Sequence, residues 1–134
     1  MDITVRSEGP WLPEDRSWLG SAHGTTATKT ITLDPTLFTA NTHYPNGYIP
    51  SGTLLGEVTA SPGVYGPYDN AAGDGRTVAA GFLFNSTPIR TGQTTKVGAP
   101  LLEHGIVRVS KLPTNSGIDA NGRTDLAGKI IFRA

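Results

Sequence analysis

The sequence has no cysteine. That excludes a disulfide framework, a thiolate nucleophile and any zinc site built on sulfur, and it removes cysteine usage as a guide to redox compartment. It also has no excess charge: eleven basic and eleven acidic residues cancel, and Lys and Arg never form a run. Nucleic-acid binding draws on a basic face that releases phosphate counterions, so no nucleic-acid partner is expected. Long apolar runs are missing too. The longest falls far short of the roughly 20 residues that span a bilayer, so no membrane partner is expected. The opening MDITVRSEGPWLPEDRSWLG has early acidic residues and no apolar h-region. It does not resemble a secretory signal, which implies synthesis and folding in the cytoplasm.

What is present is a single-domain length, 134 residues, rich in turn formers. Such a chain buries about two-thirds of its unfolded surface. The 17 Gly and 10 Pro make about a fifth of the chain, against about 12% in ordinary proteins. They punctuate short apolar runs. Thr53–Val58 and Thr77–Phe84 flank a middle dense in turns: Ser61-Pro62-Gly63, Gly66-Pro67-Tyr68-Asp69-Asn70 and Gly73-Asp74-Gly75. Apolar runs bounded by such clusters are strand signals, so this stretch is expected to be a strand, a rigid loop and a strand.

Elsewhere the same logic holds. Residues 27–34 alternate in the manner of a strand, with Lys29, Ile31 and Leu33 on one face. Asp34-Pro35 then predicts a single helical turn, with Asp as cap and Pro at the first position. Residues 39–52 are expected to be loop. The run Val78 to Phe84 is apolar throughout, which predicts cover on both faces, and Ala79, Ala80 and Gly81 permit close backbone approach. Residues 96–112 predict two short strands with a bend, because Gly98, Pro100 and Gly105 interrupt them. One short helix is expected within 113–127. Ile130 and Phe132 share a face of a last strand. Six or seven short strands without long helices predict a mainly β protein. Strands separated by turns predict a small, mainly antiparallel, barrel-like or sandwich domain with one or two short helices and an extended N-terminal arm.

The division expected is an arm over 1–26 and one β-rich domain over 27–134. The arm is polar with isolated large apolar side chains, and both tryptophans, Trp11 and Trp18, lie in it. Three readings are open. It is a loose terminus, an arm that orders on contact with tryptophan anchors, or a segment that tucks one Trp back onto the domain. The second is favoured.

Chemistry is sparse. His23, His43 and His104 have no second ligand at metal spacing apart from Glu103, which faces away from His104 on a strand. No metal site and no cofactor is therefore expected. No Ser lies in a nucleophile-elbow pattern. Asp69 and Asp74 form the best carboxylate pair, but Asp in a Gly-rich loop characteristically closes Asx-turns. Elimination points to a structural or binding module rather than an enzyme. The balanced charge favours a protein that works packed against others. A carbohydrate- or surface-binding β-domain is the alternative. It would rest on exposed aromatics at Tyr44, Tyr48, Tyr65 and Tyr68, although Tyr65 and Tyr68 around Pro67 also suit a packed, hydrogen-bonded loop.

The ordered series Ile49-Pro50-Ser51-Gly52-Thr53-Leu54-Leu55-Gly56, Thr59-Ala60, Tyr65-Gly66-Pro67-Tyr68-Asp69, Asp74-Gly75-Arg76 and Ala79 to Leu83, with Leu112-Pro113 and Gly128 to Phe132, resembles the head decoration proteins of tailed phages, the family of the phage lambda protein. The resemblance covers roughly residues 27–134, and the arm is similar to that of actinobacteriophage members. It implies a small antiparallel barrel-like (β-tulip-like) fold and a homotrimeric cement protein of the virion. Such a trimer binds the major capsid protein at three-fold sites outside the expanded capsid and holds it against DNA pressure. It further implies that Ile3, Thr4 and Val5 add a strand to the capsid while Trp11, Trp18 and Leu19 anchor the arm. Pro67, Tyr68, Asp69, Asp74 and Gly75 would form a structural loop.

Overall fold

The structure is a computed structural model that describes residues 14–134. A five-stranded closed barrel organises it, in the order β1 (Lys29–Leu33), β4 (Val64–Pro67), β3 (Leu54–Glu57), β5 (Ala79–Leu83) and β7 (Val97–Leu102). Antiparallel pairing of β1 with β7, Lys29 opposite Leu101 through Leu33 opposite Val97, closes the ring. The β1–β4 pair is parallel. Two smaller sheets flank the barrel: β2 (Tyr48–Ile49) with β6 (Thr87–Pro88), antiparallel, and β8 (Gly105–Arg108) with β9 (Ile130–Arg133), parallel. Two short helices, α1 (Ala40–His43) and α2 (Ala120–Asp125), complete the fold. The chain is thus mainly β, with nine strands among the described residues.

Strand period explains the two cores. Ile31, Leu33, Leu55, Tyr65, Leu83, Ala99 and Leu101 belong to one buried cluster. All five barrel strands contribute to it, so it fills the barrel. Their neighbours Leu54, Phe82 and Leu102 point the other way, into a second cluster with Trp18, Val107, Leu126 and Ile130. Successive side chains on a strand face opposite sides. The consecutive apolar pairs Leu54-Leu55, Phe82-Leu83 and Leu101-Leu102 therefore mark strands covered on both faces, as the run ending in Phe84 predicted. Close approach is equally literal at Gly81: a Cβ there would lie 2.4 Å from the Leu102 carbonyl oxygen.

Several local expectations hold. Asp34 caps the 3-10 turn Pro35–Leu37 by accepting from the Thr36 N–H at 3.0 Å. Asp119 caps α2, accepting from the Gly122 N–H at 2.7 Å. Residues 96–112 break into two strands before Gly105.

Others need correction. The middle expected as a rigid loop contains β4, because the Ser61-Pro62-Gly63 turn reverses β3 onto it, with the Val64 N–H donating to the Ser61 carbonyl at 3.0 Å. The strand expected from Thr53 onward is shortened to Leu54–Glu57 and carries a bulge between Leu55 and Gly56. The loop expected over 39–52 holds α1 and β2. These elements are too short to carry a readable period.

Candidate functional site

The residues expected to contact a partner lie in the segment read as an arm. Ile3, Thr4, Val5 and Trp11 lie outside the described residues. From Glu14 onward the chain is fastened to the domain. The Glu14 carboxylate accepts from the Ser86 N–H at 2.9 Å, and Arg16 Nε donates to the Phe84 carbonyl at 3.0 Å. The Arg16 guanidinium also bonds Asn85 Oδ1 and stacks 4.4 Å from the centre of the Phe84 ring.

Trp18 corrects the favoured reading of this segment. Its side chain is fully buried and 5.6 Å from Phe82, centre to centre, and its Nε1–H donates to Ser51 Oγ at 3.1 Å. The tuck-back reading is the one the structure shows. Trp18 fills the second core and has no surface left to offer as an anchor. Leu19 is half-buried against the same core and bridges Val107 in antiparallel fashion. The Gly20 N–H donates to the Ile106 carbonyl at 2.8 Å, and the Arg108 N–H to the Trp18 carbonyl at 2.6 Å. Residues 18–20 therefore act as a third strand beside β8. Residues 14–20 of the segment expected as an arm are thus bonded to the rest of the fold, and residues 1–13 lie outside the described residues.

Where the fastened segment starts, an open groove of ≈ 440 Å³ is lined by Asp15, His43, Tyr48, Lys111 and Asn115, among others. His43 is half-buried, accepts from the Thr39 N–H through Nδ1 at 2.8 Å, and lies edge-on to Phe38. Burial holds its imidazole below the ordinary histidine range.

The loop from Pro67 to Arg76 behaves as its residue types predict. Asp69 accepts from the Ala71 N–H at 2.9 Å and Asp74 from the Arg76 N–H at 3.3 Å, both two residues on, as in Asx-turns. Arg76 Nε grips the Asp74 carboxylate at 2.9 Å and its Nη1 reaches the Pro67 carbonyl at 3.1 Å. The hydrogen bond from Arg76 holds Asp74 below the usual carboxylate range. Gly75 lies against Glu57 and Thr59 with φ +106°. The Tyr68 hydroxyl donates to Asp119 Oδ1 at 2.9 Å. Burial, then the Asp119 carboxylate, pushes the Tyr68 phenol up to about 12. These groups bond one another and organise a rigid loop.

Tyr44, Tyr65 and Tyr68 are buried. Only Tyr48 of the four is partly open, so the exposed aromatic face on which carbohydrate binding would rest is not formed by these residues. One juxtaposition was beyond sequence reasoning: His23 Nε2 lies 3.3 Å from His104 Nδ1. No group of three His, Cys, Asp or Glu side chains converges as metal ligands among the described residues. No helix among them is long and apolar enough to cross a membrane.

No curated protein matches the chain. A family model described as Bacteriophage lambda head decoration protein D matches residues 17–128, well over half of the chain.

Proposed function

The chain belongs to the family of the bacteriophage lambda head decoration protein, and from that membership we propose that it is a homotrimeric cement protein. Membership makes it a structural protein of the phage head. In the proposed role its trimers occupy three-fold sites outside the expanded capsid and hold neighbouring major capsid subunits against internal DNA pressure. The protein is made in the host cytoplasm and acts on the virion surface without catalysis or cofactor.

The observation that carries the reading is the extent of the match. It runs from Ser17, beside the segment 18–20 that pairs with β8, through the barrel to Gly128, two residues ahead of β9. The first 16 residues lie outside it, so the role of the arm is argued from its own residues. Glu14, Arg16 and Trp18 fasten the chain to the domain directly after residues 1–13. Ile3, Thr4 and Val5 then supply an added strand and Trp11 an apolar anchor on the major capsid protein. Three arms on one trimer bind with avidity, since the second and third contacts are intramolecular.

The test combines light scattering after size-exclusion chromatography with co-sedimentation on expanded capsids. The full chain is expected to be a trimer that binds. A variant lacking residues 1–13 keeps Trp18 in the core and is expected to remain a folded trimer that no longer binds. A stable monomer counts against the trimer, and unchanged binding of the truncated chain sinks the arm.

A further inference from the structure

We propose that His23 and His104 form a two-imidazole site for a divalent transition-metal ion of the zinc, nickel or copper type. The bound ion would clip the N-terminal segment to the β7–β8 turn. His23 Nε2 and His104 Nδ1 are 3.3 Å apart. Nitrogen ligands sit about 2.0–2.1 Å from zinc, so two of them on a tetrahedral ion are about 3.3–3.4 Å apart. The two rings already have that spacing. Their planes are 54° apart, and both rings are exposed. In the metal-free chain the two nitrogens share a hydrogen bond; binding shifts the donor ring to its other tautomer and turns both lone pairs toward the ion, with water taking the remaining positions. Imidazole suits zinc, copper and nickel.

The backbone beneath the rings is fixed by the fold. Gly24 has φ +81°, and a Cβ on it would lie 1.9 Å from the His104 carbonyl oxygen. A Cβ on Gly105 would lie 3.0 Å from the His23 carbonyl oxygen. Only glycines let these two stretches lie so close, and the Gly20 bond to Ile106 holds the approach from one side. The backbone that carries the two ligands is therefore held in place, which limits the ordering left for the side chains. The site supplies two ligands where structural zinc has four, so the ion is exchangeable. The two histidines are 81 residues apart, and unfolding separates them. Metal therefore binds the folded chain selectively. At a hundredfold excess over Kd it raises the folded-to-unfolded ratio about a hundredfold.

The experiment uses the full chain without a polyhistidine tag, stripped of metal by chelator. Titration with ZnCl2 and with NiCl2 is followed by calorimetry, and thermal unfolding is recorded with and without zinc. One ion per chain and a raised unfolding midpoint that EDTA reverses are expected. His23→Ala and His104→Ala should each weaken binding at least tenfold, and His43→Ala should not. On the unmutated chain, trace Cu2+ should broaden the imidazole NMR signals of His23 and His104 selectively, a readout independent of how variants fold. Binding that survives His104→Ala, broadening centred elsewhere, or no measurable binding overturns the proposal.

Discussion

Replacing Trp18 by alanine tests whether the segment ahead of β1 belongs to the domain. The indole is fully buried in the second core against Phe82, and its N–H donates to Ser51 Oγ. Truncation of a buried aromatic costs about 3–5 kcal/mol through lost transfer energy and the cavity left behind. Ser51 Oγ keeps the bond it donates to the Phe84 carbonyl at 2.7 Å, so the lost N–H adds little. Domains are stable by about 5–15 kcal/mol, and the change removes roughly a fifth or more of that. The thermal midpoint should fall by roughly 10–20 °C. Urea unfolding followed by circular dichroism measures the loss, at one fixed protein concentration because association shifts apparent stability. Trp18→Phe keeps most of the apolar area and should lose less. In a Trp11→Phe background Trp18 is the remaining tryptophan, and its emission should be blue-shifted and shielded from iodide. A loss under about 0.5 kcal/mol, the range of ordinary surface changes, together with a quenchable indole, would refute the packing argument.

Three further outcomes are open to measurement. Gly81→Ala places a methyl against the Leu102 carbonyl oxygen and should cost about 1–3 kcal/mol by overpacking. Gly73→Ala, with open space around it, is the neutral control in the same denaturation assay. Asp119→Ala removes the α2 cap and the acceptor of the Tyr68 hydroxyl. A loss of about 2–3 kcal/mol is expected, and Asp119→Asn, which still caps, should lose less. The Tyr68 phenol is raised in the fold to about 12 by burial and then by Asp119, against about 10 unfolded. Its contribution is therefore complete below about pH 10 and lost as pH rises through about 12. Stability should decline over that interval, and Tyr68→Phe should flatten the decline; an unchanged alkaline limb would show that another group controls it.

Family membership gives the two cores different consequences. The barrel interior combines alternation in the five strands with Phe38, Tyr44, Ile49 and Ile89 from outside them. The outer core depends on a layer made of α2, β8, β9 and the strand 18–20 lying over β3, β5 and β7. In the proposed role, load from a capsid-bound arm would enter the domain at Glu14 and pass to Trp18. The Glu14–Ser86, Arg16–Phe84 and Trp18–Ser51 bonds and the strand pairing at Leu19 fasten that segment to the barrel.

By itself the sequence determined whatever depends on neighbours within a few positions. Period-two alternation places Ile31 and Leu33 inward. The Asp34-Pro35 cap, the Asx-turns at Asp69 and Asp74, the break before Gly105 and the double-faced run ending in Phe84 are equally local. Each follows from backbone geometry and short side-chain reach. The ordered turn motifs of 49–83 also carried the family resemblance. Tertiary structure alone decided the rest. A lone tryptophan in a polar stretch has no period, so nothing local told whether Trp18 would face a partner or its own domain; the cavity over Phe82 decided it. The parallel β1–β4 and β8–β9 pairs and the closure of β1 on β7 join segments far apart in sequence. His23 and His104 meet only because residues 18–20 pair with β8 and bring the following turn against Gly105. Spacing along the chain holds no trace of that contact, since the distance between two side chains there is set by how the sheets stack.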